Sequence, residues 1–112
     1  MELPNNLVYI PDVEENIYYI NPHRITCVLE HANDLCFFSV YMEGLCLQTR
    51  APIMDHLRFD CKLLTTTGVL HFNESDLLFA SEGTICFHDG NAFSTPNYPP
   101  MPEQFEGDMI VG

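Results

Sequence analysis

The segment Tyr19-Ile20-Asn21-Pro22-His23-Arg24-Ile25 is the most informative part of the chain for its fold, because its pattern returns later in the sequence. The later stretch reads His71-Phe72-Asn73-Glu74-Ser75-Asp76-Leu77. In both, an apolar residue, an asparagine and three further residues lead into an apolar run. Asn21 and Asn73 are 52 positions apart. A pattern repeated at this spacing predicts one supersecondary unit that the chain uses twice.

The end of each unit supports the repeat. Gly44 and Thr49 close the first apolar run, and a glycine and a threonine recur 46 residues further on. Since the start shifts by 52 and the end by 46, the second copy has six fewer residues between its strands. We predict copies over residues 17–50 and 69–96, each too small to bury its own apolar face.

Short runs rich in β-branched and aromatic residues, separated by Gly, Pro, Asn and Asp, predict strands throughout the chain. The runs are 7–10, 17–20, 25–29, 35–42, 45–48, 61–64, 69–72, 77–80, 84–88 and 92–94. Glu43-Gly44 and Asp89-Gly90 predict tight hairpin turns. We therefore predict a mostly β, single small domain over residues 1–94, built from two related antiparallel β-meander units.

One segment between the two copies has a helical pattern. Pro52 suits a first helical position, and Ile53, Met54 and Leu57 form an apolar stripe. We expect one short helix of about two turns from Pro52 to Phe59.

The end of the chain has a different composition. Residues 95–112 combine four prolines with acids and glycines, which excludes a helix or a central strand. We expect a Pro-rich acidic tail, extended, with apolar residues such as Tyr98 and Phe105 available to dock on a neighbour.

Residues 17–58 resemble the small β-meander and helix unit of FlbD-like proteins. The resemblance lies in Ile20-Asn21-Pro22 before a strand, in Gly44 at a hairpin turn and in the short helix from Pro52 to Leu57. It implies the fold alone and supplies no catalytic residue or cofactor. The chain departs from that family in its second copy, its acidity and its Pro-rich tail.

The charge of the chain limits its partners. Sixteen Asp and Glu against four Lys and Arg give a net charge of −12. Such a field repels phosphates, so we expect no direct nucleic-acid binding and no membrane binding, and we expect basic partners instead. Five cysteines without a Cys-x-x-Cys, and no export signal, favour a cytoplasmic protein, in the host cytoplasm if viral.

No motif in the sequence identifies a reaction or a cofactor. His23, Cys27, His31 and Cys36 are close in sequence but lack the paired spacing of structural zinc sites. No phosphate-binding glycine loop or nucleophile elbow occurs either. We expect neither an enzyme nor a cofactor or metal site.

Acidic side chains in predicted loops are the first candidate site. They are Asp12, Glu14, Glu15, Glu74, Asp76 and Asp89. They predict an inhibitor that binds a basic nucleic-acid-handling protein, similar in size and charge to phage anti-defence proteins of the anti-CRISPR or anti-restriction type.

Two other functions stay open. Arg24, Arg50 and Arg58, with nearby aromatic residues, would suit an oligomeric protein that sequesters a small nucleotide signal. A structural or assembly protein could use the tail to dock on a neighbour. Since many short strands leave free edges, a homo-oligomer is expected.

Overall fold

The fold is seen in a computed structural model that describes residues 6–34 and 36–96. Most of these residues form strands, which confirms the mostly β prediction. The strands are β1 (Val8–Pro11), β2 (Ile17–Ile20), β3 (Ile25–His31), β4 (Phe38–Met42), β5 (Leu45–Thr49), β6 (Cys61–Leu64), β7 (Gly68–Phe72), β8 (Leu77–Ser81), β9 (Thr84–Phe87) and β10 (Ala92–Ser94). Nearly all of the predicted tail, residues 97–112, lies outside the described part of the chain.

The strands form three antiparallel sheets. The largest has the order β5-β4-β3-β7-β6, with β3 at its centre. A second sheet has the order β10-β9-β8, and β1 pairs with β2 in a separate hairpin. Strands β3 to β5 of the first copy thus join β7, the strand that begins the second copy, in one wide sheet, whereas β8 to β10 of the second copy form a sheet by themselves.

The five-stranded sheet is the middle of three layers, because alternate residues of β3 enter two different cores. Val28 packs with Ile10, Ile20, Val40 and Ile53 beneath the β1–β2 hairpin. On the opposite face, a second core joins this sheet to the three-stranded sheet. Its buried members are Cys27, Leu29, Cys61, Leu63, Leu70, Phe72, Ile85 and Phe87. Each small sheet therefore buries its apolar face against the large one.

The expected helix after Pro52 is wrong. Between β5 and β6 the structure has only a 3₁₀ turn, Ile53–Asp55, although Ile53 and Leu57 are buried as the stripe predicted. The connection must cross from one edge of the five-stranded sheet to the other, four strand spacings or about 19 Å. An eight-residue helix would cover only about 12 Å of that distance. The extended chain places both apolar side chains while it makes the crossing.

The two segments predicted as copies contain the same elements in the same order. A 3₁₀ turn, Pro22–Arg24 or Glu74–Asp76, precedes three antiparallel strands in each. The pairing of the first two strands shifts register between Ile25 and Cys27 in one segment and between Leu77 and Phe79 in the other. The bulged residues are thus Thr26 and Leu78, which are 52 positions apart. A bulge bends its strand and increases the twist, so both segments turn at the same point.

Gly68 fixes the contact between β7 and β3. It pairs with His31 at the end of the ladder, and a Cβ at this position would overlap the carbonyl oxygen of Glu30. Only glycine allows the two backbones to approach this closely.

Within the described residues, no helix is long and apolar enough to cross a membrane.

Candidate functional site

The candidate site is a cleft between the two 3₁₀ turns. Pro22 occupies the first position of one turn, and the side chain of Asn21 caps it by accepting a 3.0 Å hydrogen bond from the His23 backbone N–H. The other turn is held from outside, since Asp60 Oδ1 accepts a 2.9 Å bond from the Glu74 N–H. The local sequence therefore fixes both walls of the cleft.

The first part of the cleft lies where the two copies meet. It has a volume of about 350 Å³, and its lining includes Arg24, Met42, Asp76 and His88. Arg24 and Asp76 are 52 positions apart, so they are counterparts in the repeat. The two copies thus present opposite charges to one shared cavity, a cation from the first copy and an anion from the second.

A second part of the cleft adjoins the first, because His23, Ile25 and Asp76 line both. It too has a volume of about 350 Å³, and it adds a cation and an aromatic ring, Arg58 and Phe59. Arg58 Nη1 donates a 3.1 Å hydrogen bond to the Leu57 carbonyl, which holds the guanidinium near its own backbone. The remaining N–H groups of a guanidinium can still donate to another acceptor.

Histidine and aspartate side chains are hydrogen bonded at the rim. His88 Nε2 lies 3.0 Å from Asp76 Oδ1. The Asp89 carboxylate accepts bonds from the Asn91 backbone N–H and side-chain amide, at 3.0 and 2.8 Å, and from the Thr26 hydroxyl. Partial burial raises the pKa of Asp89, but these hydrogen bonds outweigh it and hold the pKa below its ordinary value. Asp89 is therefore an ionised, oriented carboxylate at neutral pH.

Three of the six acidic residues predicted as a partner site lie around this cleft. Asp76 lines both parts of the cleft. Glu74 is adjacent in sequence to Asn73 and Ser75, which line the second part. Asp89 accepts a hydrogen bond from Thr26, which lines the first part. Sequence reasoning missed Glu43, which lines the first part. The repeat itself carried the signal, since Glu43 precedes Asp89 by 46 positions.

Asp12, Glu14 and Glu15 lie elsewhere, in the turn between β1 and β2. Asp12 Oδ1 accepts 2.9 and 2.8 Å bonds from the backbone N–H groups of Glu14 and Asn16, so this carboxylate orders its own turn. The Val13 N–H donates to the Gln48 carbonyl at 3.0 Å, which places the turn beside β5. The predicted acidic residues thus form two groups, of which one surrounds the cleft.

The three arginines predicted to bind a ligand are also divided. Arg24 and Arg58 line the two parts of the cleft. Arg50 instead pairs with Asp34 through two hydrogen bonds of 2.9 and 2.8 Å, and its guanidinium lies 4.7 Å from the centre of the Phe37 ring. Arg50 is thus engaged by a carboxylate and an aromatic ring away from the cleft.

Two thiols are buried in the core. Burial, together with hydrogen bonding and charge from Asp60, raises the pKa of Cys61 to about 12. Burial also raises the pKa of Cys27, with a smaller contribution from Asp89 and Asp76. Both thiols stay protonated at neutral pH and pack as small apolar groups, since nucleophilic reactivity requires the thiolate.

Among residues 6–34 and 36–96, no three His, Cys, Asp or Glu side chains converge as the ligands of a metal ion would. Comparisons with protein-family models, with curated proteins and with solved structures find no match. The resemblance of residues 17–58 to FlbD-like proteins therefore stays a prediction, and the function must be argued from the site.

Proposed function

We propose that this chain is a small acidic, non-enzymatic binding protein whose cleft rim receives a basic surface of a nucleic-acid-handling protein. A phage anti-defence inhibitor of the anti-CRISPR or anti-restriction type is the class that we favour. The observation that carries the proposal is a group of carboxylates in and beside one cleft. Its members are Glu43, Asp60, Glu74, Asp76 and Asp89.

The orientation of these carboxylates supports recognition of arginine or lysine. Asp89 and Asp60 are held by hydrogen bonds within turns, so they lose little freedom when a cation binds. Glu43 and Glu74 are exposed beside them. Fixed carboxylates can accept paired hydrogen bonds from a guanidinium, and these are among the stronger contacts at protein surfaces.

The charge of the whole chain supports the same partner. At −12, the protein attracts basic surfaces over long range, which accelerates encounter. A nucleic-acid-binding surface is basic because it must neutralise phosphates. An acidic protein that occupies such a surface excludes the nucleic acid by competition, without any catalytic step.

The experiment compares two pairs of exposed glutamates. The partner is first captured on immobilised protein from the native cytoplasm and identified by mass spectrometry. Association rates are then measured for Glu43→Lys/Glu74→Lys at the cleft and for the matched control Glu14→Lys/Glu15→Lys at the β1–β2 turn. Both variants change the net charge equally. We expect the cleft variant to associate at least about tenfold more slowly at low salt, and the control to change little.

Two outcomes would contradict this proposal. Equal slowing by both variants would mean that net charge alone acts and that the cleft is not the contact. Association that does not weaken as salt rises would exclude electrostatic recognition, because salt screens exposed charges.

A second candidate function is favoured by one specific observation. Arg24, Arg58 and three of the five histidines line the cleft of a chain that has only four Lys and Arg. With Phe59 available for stacking, these groups could hold a small nucleotide, as a sequestering protein would. The test is calorimetry with mononucleotides and cyclic nucleotides, using Arg58→Ala against Arg50→Ala. Binding that is lost only in Arg58→Ala would favour this function over the first.

A further inference from the structure

We infer that the free edge of β8 pairs, antiparallel, with β8 of a second copy of this chain. The product is a continuous six-stranded sheet across a two-fold axis. This inference is independent of the proposed function, because it concerns a strand edge and not the cleft.

The first observation is that β8 has one unpaired edge. It pairs with β9, and no strand within residues 6–34 and 36–96 pairs with its other side. Unpaired N–H and C=O groups along such an edge are a template for another strand. The edge is short, at five residues, so we expect an association that depends on concentration.

The second observation is that the corresponding strand edge in the first copy is paired with another strand. β3 corresponds to β8, since each follows a 3₁₀ turn and has a bulge at its second residue. On β3, the edge that faces away from β4 pairs antiparallel with β7, from Cys27 to His31. By correspondence, the free edge of β8 can pair with an antiparallel strand.

The third observation is that the side chains of β8 favour contact. Leu78 and Phe79 are 62% and 49% exposed, although their counterparts Thr26 and Cys27 are buried. β8 contains no charged residue and no proline, so it lacks two of the usual devices against edge pairing. Covering Leu78 and Phe79 would remove exposed apolar area from water.

A second copy fits this edge better than residues 97–102 of the same chain. The described chain leaves the three-stranded sheet after β10, at the edge opposite to β8. Beyond it come Pro99, Pro100 and Pro102, which lack the N–H that a ladder needs. Two copies of β8 that cross near Phe79 would bring apolar residues together, with Asp76 and Glu82 near the ends of the pair.

The charges give this association a signature. Two chains of −12 repel each other, and Asp76 of each copy approaches Glu82 of the other. Because salt screens this repulsion, dimerisation should strengthen as salt rises. Binding to a basic partner should weaken over the same range. Failure of one inference is thus distinguishable from failure of the other.

The test is sedimentation velocity on the full chain over a range of concentrations, at low and high salt. The variant Phe79→Lys places a charge on the edge, and Leu64→Lys is its control, because Leu64 is 51% exposed on β6, another edge strand. We expect a dimer in the unmodified protein, weakened by about tenfold or more in Phe79→Lys, as for a central interface aromatic. Leu64→Lys should leave the dimer unchanged.

Hydrogen exchange of the unmodified protein provides a second measurement that needs no variant. Protection of the amides of residues 77–81 should rise with protein concentration. A monomer at every concentration, protection that does not depend on concentration, or equal weakening by Leu64→Lys would each overturn the inference. Concentration-independent protection in a monomer would mean that another part of the same chain covers the edge.

Discussion

The two copies of the repeated pattern share their local structure and differ in their surroundings. β3, β4 and β5 have seven, five and five residues, whereas β8, β9 and β10 have five, four and three. The first set is the middle of the molecule, with a core on each face. The second set buries one face and leaves Leu78 and Phe79 exposed.

The contrast separates the features that a local pattern can specify from those that depend on the whole sheet. The 3₁₀ turn and the bulge recur in both copies, because they depend on residues a few positions apart. The sheet partner does not recur, since only β3 pairs with β7. Counterpart positions therefore offer matched pairs of mutations, in which the local role is equal and the environment differs.

The largest effect is expected for a pair of counterparts that pack on the two cores. Phe87 is fully buried and packs edge-on against Phe72, with ring centres 5.2 Å apart. Met42, which pairs with Ile25 as Phe87 pairs with Leu77, is partly buried against the other core. Phe87→Ala should lower the free energy of unfolding by about 3–5 kcal/mol, and Met42→Ala by roughly half as much. Urea denaturation of both variants measures this. Equal losses would show that the second copy is no more dependent on its core than the first.

A smaller effect is expected for the threonines that end each copy. The Thr49 hydroxyl donates a 2.6 Å hydrogen bond to the Pro11 carbonyl and accepts a 3.0 Å bond from the Ala51 N–H. Thr95, its counterpart, makes one long bond of 3.4 Å to the Pro96 carbonyl. Thr49→Val leaves buried polar groups unpaired and should cost about 1–3 kcal/mol, whereas Thr95→Val should cost less than about 0.5 kcal/mol. Thermal unfolding measures the loss of stability in both variants. A large loss in Thr95→Val would contradict the conclusion that the Thr95 hydroxyl makes only a weak hydrogen bond.

The bulge residue of the first copy gives an effect that depends on pH. Thr26→Val removes a hydrogen bond to the Asp89 carboxylate and should cost about 1 kcal/mol at neutral pH. Because the pKa of Asp89 is lower when folded, its contribution is present above the ordinary value of about 3.9 and is lost as pH falls through the folded value. The difference between Thr26→Val and the unmodified protein should therefore narrow in acid. A difference that stays constant with pH would mean that packing alone is lost.

The smallest effect is expected at the bulge residue of the second copy. Leu78→Thr introduces the residue type that occupies this position in the first copy. Since Leu78 is largely exposed, the free energy of unfolding of the monomer should change by less than about 0.5 kcal/mol. Denaturation at low protein concentration, where association is minimal, measures the change. A large loss would indicate that the side chain has a packing role within the monomer.

The strands could be read from the sequence because their signals are local. Alternating apolar runs bounded by glycine, proline and asparagine predict strands at 7–10 and 17–20, where the structure has Val8–Pro11 and Ile17–Ile20. The helix after Pro52 could not be judged in this way. Its apolar spacing suits a helix, but the distance between β5 and β6 is a property of the whole sheet.

The candidate site was only partly predictable for the same reason. Glu74 and Asp76 could be chosen as charged residues in a loop, but nothing local shows that Asp76 lines a cleft together with Arg24. The sequence also could not show that Arg58 lines the cleft whereas Arg50 does not. Arg50 is engaged by Asp34, which is 16 positions away and adjacent only after the sheet has formed.

Gly68 selects the register in which two hairpins that are distant in sequence join. β7 meets β3 about forty positions away in sequence, so many alternative alignments must be rejected while the chain folds. A one-residue slip would turn the apolar side chains of β7 away from their core. A two-residue slip would bring a side chain, in place of the glycine hydrogen, against the Glu30 carbonyl. One residue without a side chain thereby excludes misaligned sheets that the apolar pattern alone would permit.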